Sequence, residues 1–282
     1  MMNQPTVRPA KIRRDTVKIR LIVFGTLAAL LVLCSLFSEY LTPYDPYMQD
    51  LSNAKAAPSA QHIFGTDRYG RDMLSRVIVG SRTSIFSTLL LVAVITVIGT
   101  AVGVLCGWNG GALDTVLMRI SDMFLAFPGL VFALAVAGVL GGGLQNAIFA
   151  LAAISWPKYA RIARSQTLSQ KETPYLRAAR LSGSGTGKIL LKHILPNIIG
   201  PILVTSMLDI GTMMMELAGL SFLGLGAKPP IAEWGSMMSE NRALMTTVPW
   251  ITLAPGLAIF VSVMIFNLLG DTVRDWADKR GR

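Results

Sequence analysis

The chain has 282 residues, of which 52% are hydrophobic and only 15% charged, against about 25% charged in a soluble domain. The deficit sits in long charge-free runs, from Arg82 to Asp114, from Asp122 to Lys158 and from Arg242 to Asp271. Apolar runs near the length of about 20 residues that a bilayer demands exclude an ordinary soluble enzyme. The net charge of +10 would point to nucleic acid in a soluble protein. No aromatic–basic recognition motif accompanies it, and cytoplasmic loops of membrane proteins collect Lys and Arg. Membrane lipid is therefore the expected partner, and nucleic acid is not.

Residues 1–18 are polar and basic and read as a cytoplasmic N-terminal segment, disordered or lying along the membrane. Residues 19–41 form the first expected transmembrane helix, a retained signal-anchor, because its apolar run is of spanning length and lacks a small-residue cleavage site. Residues 42–82 are polar and rich in Pro and Asn in their first half, an extracytoplasmic segment. Residues 83–270 are expected to hold a five-helix core with spans near 84–108, 123–139, 144–163, 198–223 and 249–270. Pro128 falls inside the second of these, tolerable where neighbours satisfy the freed carbonyl. Gly99, Gly103 and Gly107 recur every four residues, a seam along which another span or subunit can approach closely. Gly141–Gly143 predicts a tight turn. Residues 271–282 are a hydrophilic tail. With six spans, most Lys and Arg fall on one side, which predicts both termini cytoplasmic. Cys34 and Cys106 lie in apolar runs and read as packing residues.

Between the fourth and fifth spans lies a basic island, residues 171–197, with Glu172 as its only acid. Its Gly183-Ser-Gly-Thr-Gly-Lys188 resembles a phosphate loop at first sight. However, Ser182 stands where that loop needs its first Gly, Ile189 where it needs Ser or Thr, and no strand precedes it. The alternative is a hairpin. Glu172 to Leu181 is expected to be helical, with Thr173 and Pro174 as a start signal, the glycines break it, and 189–195 make a second short helix that stops at Pro196. Such a finger suits docking into a groove on a soluble partner.

Ala178-Ala179, Gly183 and Ile194-Leu195-Pro196, in this order, resemble the "EAA" loop of permease subunits of binding-protein-dependent ABC importers. The departure is Arg177, where that family most often has Glu. The run from Phe64 through Gly65, Asp67, Gly70, Arg71 and Asp72, with Ser75-Arg76 and Gly80-Ser-Arg82 after it, is similar to the segment before the second span in "C"-type permeases of dipeptide, oligopeptide and nickel importers. Ser221 to Gly226 with Glu233-Trp-Gly235, and Phe266 to Asp271 with Arg274-Asp275, are further marks of that branch. The stretch from Leu208 to Met214 with Ala218-Gly resembles nickel-type permeases somewhat more closely.

The resemblance covers about residues 20–278. It implies an all-α integral membrane protein with six transmembrane helices, the type I ABC importer permease fold and a cytoplasmic coupling helix, in a bacterial inner membrane. It also implies a paralogous permease as heterodimer partner, two ATP-binding subunits and an extracytoplasmic substrate-binding protein. ATP and Mg would sit on the ATPase subunits, with no cofactor or metal in this chain. The 64–72 motif would lie near the binding-protein side, receiving that protein or capping the first two spans. No nucleophile–base constellation appears, so the chain is expected not to be an enzyme. A structural or assembly subunit without its own pathway is the competing reading, and a channel a third.

Charges within a span cost about 2.5–3.5 kcal/mol on insertion scales and mark functional positions. Asp209 and Glu216 are seven apart on the expected fifth span, with Thr212 and Met213 between them on one face. Three readings stay open: a stripe lining the translocation pathway, pairing with an Arg of the partner permease, or placement near a span end. Met213–Met215 lack the imidazole companions of a nickel site, since the two histidines, His62 and His193, lie elsewhere.

Overall fold

The structure, a computed structural model, describes residues 10–278. Among these residues the chain is mostly helical, with a long, largely non-helical stretch at 42–72 and a single β-bridge, between Thr66 and Asp72. The first helix, α1, spans Ala10–Leu36, and a one-turn α2 follows at Ser38–Leu41. The part of the expected N-terminal segment from residue 10 onward is thus helix, continuous with the first span; residues 1–9 lie outside the described residues.

Helix α3, Met73–Asn109, is 37 residues long, about 55 Å at the helical rise against about 30 Å of hydrocarbon. It therefore starts well before the expected residue 84. The reason is local: Asp72 caps it, accepting from the Ser75 amide at 2.8 Å, which satisfies a donor that the first turn leaves free. Its end is set by Gly110, at φ 65°, which favours glycine.

The expected third span is where sequence and structure part. Helix α4 occupies Gly111–Leu125 and α5 Gly129–Val139, and the two are bent by 94°. Pro128 does not sit inside a helix; it precedes the first residue of α5. The residue before a proline is driven out of the helical region, so the chain breaks at Phe127. The turn expected at Gly141–Gly143 forms, with φ of 81°, 68° and 99°, and leads into α6, Leu144–Lys171.

Beyond α6 come α7 (Pro174–Leu181), α8 (Thr186–Ile189) and α9 (Leu195–Phe222). The second hairpin helix does not stop at Pro196. A wide π-type turn over Leu190–Ile194 joins α8 to α9, so Thr186–Phe222 runs as one 37-residue helix. Proline is tolerated there because it falls in the first turn of α9, directly after the widened turn. Helix α10 covers Trp234–Glu240 and α11 Trp250–Asp278. The expected hydrophilic tail is thus helix as far as 278; residues 279–282 lie outside the described residues.

By length and composition, α1, α3, the α8–α9 unit and α11 can each cross a membrane, and α4 with α5 passes the same test as a bent pair, either a broken span or a re-entrant loop. The remaining expected crossing, the fourth in chain order and here α6, falls outside that group because Lys158, Arg161, Arg164 and Lys171 lie along its second half. It is packed deep in the bundle all the same. α3 and α6 form the most extensive pairing in the molecule, α9 lies against both and against α11, and α1 flanks α11.

The α3–α6 pairing has a visible cause. A Cβ on Gly99 would lie 2.5 Å from the Trp156 carbonyl oxygen, one on Gly103 2.7 Å from the Ala163 Cβ, and one on Gly107 2.8 Å from the Thr167 Cβ. The three glycines face α6 within the same chain. Bulky apolar residues point outward instead: Val97, Phe149, Leu257 and Phe260 are all exposed. In lipid such a surface carries no hydrophobic penalty.

Candidate functional site

The basic island folds as a finger at one end of the bundle. Thr173 precedes α7, with its hydroxyl turned back to the Gln170 carbonyl at 2.7 Å. Leu176 and Ile189 are buried and hold the finger to its own base. Gly183, at φ 78° and with open space around it, turns the chain between α7 and α8. On the outer side, Arg177, Ala178 and Gly183 are exposed and Ala179 is half-buried. Leu181 is 91% exposed, an apolar side chain held out from the molecule. Among the described residues Arg177 bonds only Glu172, at 2.9 Å, with both side chains in solvent. Ile194 is buried, Leu195 half-buried and Pro196 exposed, so these three belong to the root of α9 and not to the tip.

The finger is tied to α3 through Trp108. Arg180 stacks on the Trp108 ring at 4.4 Å, and Lys171 donates to the Trp108 carbonyl at 2.5 Å. A second tie runs from Tyr175, whose hydroxyl donates to the His193 carbonyl at 3.3 Å. Behind the finger, Arg164 holds Asp114 with two bonds of 2.5 and 2.6 Å, and Arg161 pairs with Asp122, so α4 is strapped to α6.

In the middle of the bundle, Asp209 is 5% exposed. Lys158 Nζ donates to its Oδ1 at 2.6 Å, and the Tyr159 hydroxyl to its Oδ2 at 2.9 Å. A buried carboxylate demands such partners, since an unpaired charge there costs several kcal/mol. Within the chain Asp209 is thus paired with Lys158 of α6, a partner that the sequence reading did not name. Glu216, two turns on, is half-buried and makes no hydrogen bond among the described residues. Thr212 is exposed, whereas Met213 is buried. Lys158 itself keeps half its side chain exposed. The sequence held a signal for it, as the first charge after a run of 35 neutral residues, roughly ten helical turns, but nothing local told which acid it would meet.

The 64–72 motif is a buried knot. Asp67 accepts from the Tyr69 and Arg71 amides at 2.8 and 3.0 Å and from Arg71 Nε at 2.6 Å. Arg71 reaches on to Glu240 at the end of α10, 3.0 Å away. Asp72 caps α3 and pairs with His62 at 2.9 Å. Gly65 and Gly70 have φ of 69° and 76°; a Cβ on Gly65 would lie 2.6 Å from the Ala56 carbonyl oxygen, and one on Gly70 would strike that of Asp50. Hydrogen bonds from the Ser52 and Asn53 side chains hold the Asp50 carboxyl below the usual carboxylate range. Of the five motif residues none offers a free side chain to a docking partner. Glu240, which sequence reasoning did not single out, completes the knot.

The neighbouring 221–235 stretch closes over the same end. Glu233 caps α10, accepting from Gly235 and Ser236 at 2.9 and 2.8 Å. The Trp234 indole donates to the Val77 carbonyl at 2.9 Å.

Residues 99–282 match the family model described as "Binding-protein-dependent transport system inner membrane component". The chain is 42% identical to the nickel transport system permease protein NikC of Escherichia coli (strain K12), over 94% of each chain. It is 40% identical to the glutathione transport system permease protein GsiD of Pectobacterium atrosepticum, over 91% of this chain and 85% of that one. To the dipeptide transport system permease protein DppC of Alkalihalophilus pseudofirmus it is 39% identical, over 88% and 82%. Among solved structures it is similar to a chain of the MetNI methionine ABC transporter in an inward-facing conformation, with a TM-score of 0.57 at 20% identity over 72% of this chain and 97% of that one. That likeness carries the fold alone.

Proposed function

This chain belongs to the family of binding-protein-dependent transport system inner membrane components, and from that membership we infer how its parts work. It is a multi-pass membrane protein and a permease subunit of an ATP-driven ABC importer. Its cargo is a small peptide or nickel held as a chelate; its relatives NikC, GsiD and DppC are named for nickel, glutathione and dipeptide transport. It pairs with a paralogous permease, receives cargo from an extracytoplasmic binding protein and is driven by two ATP-binding subunits. Those subunits hold ATP and Mg and carry out the hydrolysis. Both termini lie in the cytoplasm of a bacterial cell, and the 42–72 knot faces the other side.

The coupling runs through the 171–197 finger. The observation that carries this reading is the exposed tip, with Leu181 and Arg177 held out from the molecule on a helix anchored to α3 by Trp108. ATP binding draws the two ATPase subunits together, the finger moves with the groove it occupies, and Trp108 and the π-turn pass the motion to α3 and α9. The cavity then opens outward, and hydrolysis resets it. A partner shifts such states only through differential binding, so the ATPase must grip the finger differently in its two arrangements. Thr212 and Glu216 face the pathway, where Glu216 offers a carboxylate to a cationic cargo group, while Asp209 holds α6 to α9 beside it.

The test is cysteine crosslinking from Ser182→Cys or Gly183→Cys in the assembled transporter. Crosslinks to an ATPase subunit that change in yield between ATP-bound and nucleotide-free states are expected. Abundant assembled complex with no ATPase crosslink from either position would remove the coupling role.

A further inference from the structure

At the membrane end where α1 begins its apolar run and α11 finishes its own, a cleft of about 650 Å³ opens between the two helices. That volume lies within the roughly 300–1,000 Å³ of small-molecule sites. Arg20 enters from α1, and Asp271, Arg274 and Asp275 from α11, with Phe24 and Leu268 forming the deeper, apolar wall. Charges on one side and apolar groups one turn further in mark the boundary between headgroups and hydrocarbon. Trp276, the type of residue that settles at that boundary, follows directly.

The cleft is unusual in its electrostatics. It presents two guanidinium groups and two carboxylates, yet among the described residues none of the four makes an ion pair or hydrogen bond. Among the described residues, other charged groups that converge form pairs, such as Arg71 with Asp67, Lys158 with Asp209 and Arg164 with Asp114. Four charged groups converging on one space without pairing leave both signs free for an occupant that carries both.

We propose that this cleft binds the headgroup of a zwitterionic phospholipid with a primary ammonium, phosphatidylethanolamine. Its phosphate meets Arg20 and Arg274, whose guanidinium forks suit phosphate oxygens. Its ammonium donates to Asp271 and Asp275, which stand one turn apart on α11. The acyl chains follow the apolar wall into the bilayer. A purely anionic headgroup would gain the two arginines but face two carboxylates, and a quaternary ammonium cannot donate to them. The site thus discriminates among lipids by charge pattern and hydrogen bonding together.

The experiment places the full-length chain, within its assembled transporter, in nanodiscs of phosphatidylethanolamine and phosphatidylglycerol or of phosphatidylcholine and phosphatidylglycerol. Lipid retained after transfer to detergent is counted by native mass spectrometry. Phosphatidylethanolamine should be retained over phosphatidylcholine by about tenfold, the scale of one charge-assisted hydrogen bond. The isosteric pair Asp271→Asn with Asp275→Asn should abolish that preference, and Arg20→Gln with Arg274→Gln should lower retention of both lipids. Equal retention of the two lipids by the wild type, stronger retention of phosphatidylglycerol, or an unchanged preference in the Asn pair would overturn the proposal. Soluble phosphoethanolamine binding as tightly to protein in phosphatidylcholine discs would also overturn it, by taking the site away from a lipid. All four charged side chains are solvent-facing, so the variants leave the helix pairing intact, which a thermal melt in the same discs verifies.

Discussion

Arg71 and Glu240 are 169 positions apart in the chain and 3.0 Å apart in space. Through this bond the knot in front of α3 is fastened to the end of α10, and Arg71 holds Asp67 with the same guanidinium. Removing one member of a buried pair strands the charge of the other, at a cost of about 3–5 kcal/mol. Arg71→Gln should therefore lower the melting temperature and the folded yield in detergent sharply. Arg71→Lys should rescue only part of this, because an ammonium cannot replace two directed bonds from a planar fork. Glu240→Gln, which keeps a hydrogen-bonding oxygen, should be milder than Arg71→Gln; the reverse order would mean that the Asp67 bond is the minor one.

The α3–α6 seam predicts a positional pattern. Gly103→Ala pushes a methyl against Ala163 and should destabilise by about 1–3 kcal/mol, the cost of overpacking. Gly138→Ala on α5 meets nothing within 4 Å and should be neutral or stabilising, by up to about 1 kcal/mol from helix propensity alone. Thermal melts of the two variants separate the explanations: equal effects would say that the seam is not a close contact.

Asp209 and Glu216 should behave differently although they share a face. Asp209→Ala leaves Lys158 and Tyr159 without their acceptor, and a double-mutant cycle with Lys158→Met should give a coupling of about 0.5–3 kcal/mol. Glu216→Gln removes a charge that bonds nothing in the described residues, so abundance and melting should be unchanged while uptake falls. Unchanged uptake in Glu216→Gln would remove it from the pathway.

At the finger, Leu181→Asp and Arg177→Ala should leave stability within about 0.5 kcal/mol of wild type, as surface changes do. Uptake, and stimulation of ATP hydrolysis by the loaded binding protein, should drop in both, more for Leu181→Asp because an apolar contact is replaced by a charge. Full coupling in Leu181→Asp would move the contact to another part of the finger.

The sequence by itself determined that the chain is helical and membrane-bound, that a basic finger interrupts it, and where the finger's first helix ends. Those features are written in long apolar runs, clustered Lys and Arg, and a Pro-to-Gly frame, all readable over a few residues. The glycine repeat and the buried charges were also legible as special positions. Their partners were not. Gly99, Gly103 and Gly107 pack on their own chain's α6, and Asp209 on Lys158, 51 positions away, because a partner across helices depends on how those helices cross, which no local pattern encodes. The same holds for Glu240, an ordinary acid until the fold carries it to Arg71. Two prolines act differently from their sequence pattern for a related reason. Pro128 ends a helix and Pro196 does not, although each proline removes one donor. Only the tertiary structure decided between them, through the break before α5 in one case and the π-turn before α9 in the other.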